Sequence, residues 1–242
     1  MTKRHITAAL LAALLAGPAS AQVSAPEGRE DEVQERGPGT PPVLPSPDEE
    51  APVIPQPPAD LPPTSELEEQ GLQGLDIPSD ELGREAQLDA LFGQLADEAN
   101  QHWPVIQAQI WRVWRRSGSD SMDLLLARGM EAMEKKDFET AEMHLTDLVR
   151  LAPDFAEGWN QRATLYFMME DYGRSVADIE AVLAIEPRHF GALAGLGIIL
   201  DRTGYDKGAL DAYRRVLELH PNMPGAQKGV EKLAPEIDGR EL

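Results

Sequence analysis

The chain has 242 residues, with 42 acidic against 22 basic side chains and a formal net charge of −20. Such an acidic surface repels the phosphate backbone of nucleic acids and anionic lipid headgroups, which argues against both as partners. The chain has no cysteine, so disulfides, thiolate nucleophiles, cysteine-ligated zinc and cysteine-anchored lipids are excluded.

Residues 1–21 have the three parts of a secretory signal peptide. Lys3 and Arg4 provide a positive start, residues 6–15 form a short apolar run, and Ala19-Ser20-Ala21 offers small residues at a cleavage position. The apolar run is too short for a membrane-spanning helix, which needs about 20 residues. We therefore expect an exported protein without membrane insertion after cleavage, periplasmic if the source is a Gram-negative bacterium.

The next two segments have weak structural signals. Residues 22–64 alternate prolines with acidic clusters, and neither a helix nor a sheet can propagate through that composition. We predict a disordered linker there. Residues 65–87 are predicted to be weakly helical, because Gly71 and Gly74 interrupt their apolar positions.

Residues 88–121 have the periodicity of a degenerate helical hairpin. Leu91 and Leu95 take the apolar positions of a first helix, and Trp111 and Trp114 take those of a second. Three arginines lie next to the tryptophans, as in some nucleic-acid or membrane contacts. The helical spacing of the tryptophans favours a place in the core instead.

A 34-residue repeat occupies the C-terminal half. Pro153, Pro187 and Pro221 are each 34 residues apart, and each follows a helix that ends in an apolar run. The repeat units span residues 122–155, 156–189 and 190–223. Small residues at matching places, such as Gly129 and Gly197, let the two helices of a unit approach closely. Aspartates at 137, 171 and 206, Asp154 and Asn222 are predicted helix caps.

This pattern resembles the tetratricopeptide repeat (TPR), a 34-residue helix–turn–helix unit. The resemblance implies an all-α fold, a short right-handed α-solenoid of helical hairpins preceded by the disordered Pro-rich segment. Because the ends of a solenoid need covering, it also implies that residues 88–121 form an N-terminal cap and residues 224–236 a C-terminal capping helix.

The resemblance further implies a protein-binding groove, since the first helices of successive repeats line a concave surface in this family. The matching positions are largely apolar and rich in methionine. They are Leu126, Met130, Met133, Asn160, Thr164, Phe167, Met168, Ala194, Ile198 and Arg202. Such a groove suits a hydrophobic peptide or an amphipathic helix, because thioether side chains adapt their shape to a partner.

Some family members hold the acidic C-termini of cytosolic chaperones with a clamp of lysine, asparagine and arginine. The corresponding positions here are Leu126, Met130, Gln161, Gly191 and Gly195, so the basic clamp is missing. The resemblance therefore argues against a chaperone-tail adaptor.

No catalytic pattern is present in the sequence. The five histidines are scattered, and neither a His-Glu-x-x-His motif nor a Gly-rich phosphate loop occurs. We expect no enzyme, cofactor or metal, but a non-enzymatic protein–protein interaction scaffold of the cell envelope. The alternative is a regulatory or accessory subunit of an enzyme complex, whose groove is occupied by its own N-terminal segment through Leu67, Leu72, Leu75 and Ile77.

Overall fold

A computed structural model describes residues 76–239. That range contains nine helices and no strand, so the predicted all-α solenoid of helical hairpins is confirmed. The helices are α1 (Glu81–Leu95), α2 (Trp103–Trp114), α3 (Asp120–Glu134), α4 (Phe138–Leu151), α5 (Ala156–Met168), α6 (Tyr172–Ile185), α7 (Phe190–Arg202), α8 (Asp206–Leu219) and α9 (Pro224–Asp238). The predicted signal peptide, the linker and residues 65–75 lie outside the described residues.

Three hairpins, α3–α4, α5–α6 and α7–α8, form the repeats, and α9 packs against α8. The helices of a hairpin approach closely because glycines lie where they cross. A Cβ at Gly129 would be 2.7 Å from Leu145, and a Cβ at Gly197 would be 2.6 Å from Tyr213. No real Cβ packs at such distances, so larger residues would push the helices apart.

The turns between first and second helices repeat the same geometry. Lys136, Glu170 and Gly204, spaced by 34 residues, have φ angles of 58°, 60° and 79°. The residue that follows caps the second helix: Asp137 accepts a hydrogen bond from the Thr140 amide and Asp171 one from the Arg174 amide. Both predicted caps are confirmed.

The other predicted caps are wrong. In the third turn the 34-residue register places Tyr205 at the cap position, so Asp206 is already the first residue of α8. The helices α5 and α9 begin after Phe155 and Met223, one residue later than Asp154 and Asn222. The Asn222 side chain instead donates to the carbonyl of Glu98, 3.1 Å away.

The first two helices form a hairpin, which we call the N-terminal hairpin (α1 and α2). Trp111 and Trp114 of this hairpin are buried, as predicted, in one core with the second and third repeats. The first repeat has a separate core around Leu145. Within residues 76–239, the backbones of α1 and α2 pack closely on each other, and it is their side chains that join the core of the second and third repeats. The hairpin's aromatic side chains pack at the start of α7, in the third repeat, and its role as an N-terminal cap stays a prediction.

Candidate functional site

The ten predicted groove positions lie on the first helices of the repeats, α3, α5 and α7, whose shared face we call the inner-helix surface. Six of them are buried: Leu126, Met133, Asn160, Thr164, Phe167 and Ala194. Met130 and Ile198 are half-buried, and Met168 and Arg202 are exposed. Exposure therefore increases toward the C-terminal ends of α5 and α7, whereas Met133 near the end of α3 is buried. The inner-helix surface divides into a covered half and an open half.

The covered half lies under α2, at the starts of α5 and α7 and at the turn before α9. Trp114 stacks on the ring of His189, with ring centroids 4.1 Å apart and an interplanar angle of 12°. Trp111 makes edge contacts with the same histidine and with Phe190 at 5.4 and 5.5 Å. Aromatic pairs in such geometries add to the free energy of apolar burial.

Gly191 makes room for α2. A Cβ at this position would lie 2.5 Å from Cη2 of Trp111. The next two positions of the surface that face the same way, Ala194 and Gly195, are also small and buried. Small side chains at the start of α7 thus form the slot that the tryptophan fills.

A buried carboxylate lies beside this slot. Glu157 of α5 is 0% exposed and accepts hydrogen bonds from Gln161 at 2.6 Å and Asn160 at 3.2 Å. Nδ1 of His189 accepts the Ala192 amide at 3.1 Å, so the ring carries its proton on Nε2 and donates it to Glu157 at 3.3 Å. Arg115, at the end of α2, brings a positive charge to within 3.9 Å of the same carboxylate.

A second buried histidine anchors the other end of α2. His220 lies 2.7 Å from Oε1 of Gln107, and this oxygen can only accept, so the Nε2 of His220 donates. Trp103 packs against the same ring at 5.2 Å. Burial lowers the pKa of His220 to about 4, which keeps the ring neutral at neutral pH.

The open half contains the apolar side chains that α2 does not reach. Met168 is 39% exposed at the end of α5, with Met130 and Ile198 on the neighbouring helices. Arg202 donates to the hydroxyl of Tyr172 at 2.9 Å and lies 5.2 Å above the ring of Phe167. A flexible thioether between aliphatic neighbours, with one cation at the edge, can contact an apolar helix face.

Sequence reasoning missed the buried polar residues. It counted His189 and His220 only among the scattered histidines and did not single out Glu157 or Gln107. The sequence does contain one indication of them. Gly191 and Gly195 have no side chain, whereas the matching positions of the second repeat are Glu157 and Gln161. That absence indicates that another part of the molecule approaches closely.

The described residues contain neither a cluster of metal ligands nor a membrane-spanning helix. Between residues 76 and 239 no group of three or more His, Asp or Glu side chains is arranged to hold a metal ion. None of the helices in that range combines the length and apolar character that crossing a bilayer requires.

Comparison with known proteins decides the family. No protein-family model matches the sequence. A TPR repeat-containing protein of Rhizobium etli is 42% identical over 153 residues, which are 63% of this chain and 75% of the relative. The chain belongs to the TPR repeat proteins. The TPR fold is a scaffold for protein–protein interaction, so the chain is an interaction module.

Two further similarities are more limited. The small glutamine-rich TPR-containing protein 2 of Saccharomyces cerevisiae is 30% identical over 95 residues, 39% of this chain and 28% of that protein. The crystal structure of the Sgt2 TPR domain from Aspergillus fumigatus has a TM-score of 0.47 and 23% identity, over 51% of this chain and 83% of that domain.

Proposed function

We propose that this TPR protein is a non-enzymatic scaffold of the cell envelope that binds a peptide or an amphipathic helix on the open half of its inner-helix surface. The observation that carries the proposal is the exposure of Met168 between half-buried Met130 and Ile198, on a family scaffold that binds proteins. Residues 1–21 support export, and a Gram-negative source would make the location periplasmic.

The open half suits one face of a helix better than an extended acidic tail. Apart from Arg202, the side chains of the open half are apolar, and Arg202 is already engaged by Tyr172 and Phe167. An acidic tail would need several free cations, as in phosphate or carboxylate recognition. An amphipathic helix instead gains affinity from apolar anchors at i, i+3 and i+4 spacing.

The test is capture of partners from a cell-envelope extract with the full exported chain. We expect Met168→Glu to reduce recovery of the partner about tenfold or more, because a charge would be buried against an apolar face. Met143→Glu is the matched control, since Met143 is 55% exposed but lies on α4, a second helix. Equal recovery with the two variants would refute the proposed site.

The alternative is an accessory subunit of an enzyme complex, whose inner-helix surface is occupied by the chain's own N-terminal segment. One observation favours it: Ile77 is half-buried against the core that contains the N-terminal hairpin. The preceding residues, which include Leu67, Leu72 and Leu75, would then continue over the open half.

Deleting residues 22–75 separates the two possibilities. Self-occupancy predicts that the shortened chain binds an apolar dye more strongly than the full chain and gains affinity for the partner. An open site predicts that dye binding and partner affinity both stay unchanged.

A further inference from the structure

The helix α2 crosses the inner helices in the manner of a bound ligand instead of stacking beside them. Its C-terminal Arg115 reaches α5, Trp111 and Trp114 contact the start of α7, and Trp103 contacts His220 before α9. The 12 steps of the helix from Trp103 to Arg115 rise about 18 Å. That length matches two steps between packed helices, each about 8–10 Å.

We infer that the surface under α2, the hairpin cradle (Glu157, His189, Gly191 and His220), is a binding site for a helix of a partner protein. The fitting helix has two aromatic residues at i and i+3 with an arginine directly after the second, and it displaces α2, the resident occupant. This inference rests on the proposed function, because it names a partner chemistry for the same inner-helix surface.

Each part of the cradle selects one feature of that helix. The buried carboxylate of Glu157 attracts a cation, and Arg115 supplies it from α2. The face of His189 stacks on one aromatic ring, that of Trp114. The empty place at Gly191 admits a second ring one turn away, that of Trp111. A ligand with this pattern is cationic and aromatic, whereas an acidic tail is anionic.

The contact between α2 and the cradle is incomplete in its hydrogen bonds, which makes displacement possible. Six buried side-chain polar atoms in the described part of the chain have no hydrogen-bond partner within the protein, and five of them belong to α2, its C-cap or the surface beneath it. They are Nε1 of Trp111, Nε1 of Trp114, Nε of Arg115, Oε1 of Gln161 and Nδ1 of His220. Displacement returns the three atoms of Trp111, Trp114 and Arg115 to water, and a partner helix that pairs Gln161 or His220 would avoid a desolvation penalty that α2 incurs.

The connection to the first repeat also allows α2 to leave. Only residues 115–119 separate α2 from α3, and Gly118 within them has a φ of 85°. A glycine in this left-handed region can change conformation without the steric cost that other residues have. Rotation at this glycine moves the hairpin away from α7, and the partner helix then covers the part of the shared core that α2 leaves.

A labelled peptide of residues 101–118 is the probe, and the full chain with Trp111→Ala and Trp114→Ala is the receptor with a weakened occupant. Fluorescence anisotropy should give a dissociation constant at least about tenfold lower for this variant than for the natural chain. The same peptide with both tryptophans changed to alanine should not bind.

The cradle itself is tested with Gly191→Leu added to that receptor. A side chain there occupies the place of the Trp111 ring, so peptide binding should be lost. Gly225→Leu is the matched control, since Gly225 lies 34 residues later and a Cβ there would meet no atom within 4 Å. Equal binding to the Gly191 and Gly225 variants would overturn the inference.

A second measurement applies if the tryptophan variant does not fold. Hydrogen exchange of the natural full chain with saturating peptide should expose the amides of residues 103–114 and keep residues 190–195 protected. Unchanged exchange of α2 would overturn displacement, and a dimer that forms by exchange of hairpins would assign the cradle to a second copy of this chain instead. If the peptide does not bind the cradle, the Met168 test still holds, because it measures binding to the open half of the surface.

Discussion

The two halves of the inner-helix surface differ in what their side chains contact. In the covered half, Glu157, His189 and Gly191 are buried under aromatic side chains of α2. In the open half, Met168 is 39% exposed, and Met130 and Ile198 are half-buried. One solenoid face therefore has both a covered and an open surface, which makes the consequences of covering it measurable within one molecule.

The difference also separates stability from binding. Residues of the covered half contribute to folding because they are buried with the hairpin. Residues of the open half contribute little to folding and are available to a partner. Substitutions in the two halves should therefore change different measured quantities.

The largest effect is expected for Trp114→Ala. The ring packs against His189, Phe190 and Phe92, so its removal should lower the free energy of unfolding by about 3–5 kcal/mol. Chemical denaturation followed by circular dichroism measures this change. Leu82→Ala is the control, because Leu82 is 78% exposed on α1 and should change stability by less than about 0.5 kcal/mol. Similar losses in both variants would contradict a docked hairpin.

The second-largest effect is expected from acid, which should lower the free energy of unfolding through His220 in the covered half. The folded pKa of His220 is about 4 while the unfolded value is 6.5, so the unfolded state binds the proton first as pH falls. The stabilisation is complete above pH 6.5 and is lost between pH 6.5 and 4, up to on the order of 3 kcal/mol. Denaturation at several pH values should show this slope, and His220→Gln should remove it. If the free energy of unfolding of the variant still falls with pH in this range, carboxylates and not His220 cause the dependence.

A smaller loss is expected within the repeat stack, away from the hairpin. Arg162 of α5 and Asp178 of α6 form two parallel hydrogen bonds of 2.7 and 2.8 Å, and Asp178 is buried. Arg162→Gln leaves that carboxylate without its cation, which should cost about 2–3 kcal/mol after allowance for partial exposure. Arg150→Gln, which breaks an exposed pair with Asp147, should cost less than about 0.5 kcal/mol. Peptide access to the cradle should not change in either variant.

The smallest effect concerns the turns. Glu170 adopts a φ of 60°, which glycine tolerates better, so Glu170→Gly should stabilise the chain by up to about 1 kcal/mol. Gly204→Ala at the equivalent turn should destabilise it by about 1 kcal/mol. Thermal unfolding measures both, and shifts of the same sign would contradict the shared turn geometry.

The repeats could be predicted from the sequence because their determinants are local. Proline at 153, 187 and 221, small residues at the helix crossings and aspartate at two turns each act within one hairpin. The place of the N-terminal hairpin depends on contacts between distant segments. The apolar periodicity of Trp111 and Trp114 is the same whether α2 packs on α3 or crosses α7, so the pattern alone could not distinguish the two.

The candidate site could be predicted only in part for the same reason. Repeat register identified which positions belong to the inner-helix surface, including Met168 and Ile198. It could not indicate that Asn160 and Thr164 are buried, because burial depends on the path of the hairpin. Two partners of Glu157, Arg115 and His189, are distant in sequence and follow no spacing rule.

The position of the N-terminal hairpin is tested most directly by crosslinking, which is simple in a chain without cysteine. Asp89 of α1 forms an ion pair with Arg188, just before α7, whereas Ala127 is exposed on α3. With a short thiol-reactive crosslinker, Asp89→Cys paired with Arg188→Cys should form an intramolecular link, and Asp89→Cys paired with Ala127→Cys should not. The opposite result would place the hairpin on the first repeat and contradict the covered half of the surface.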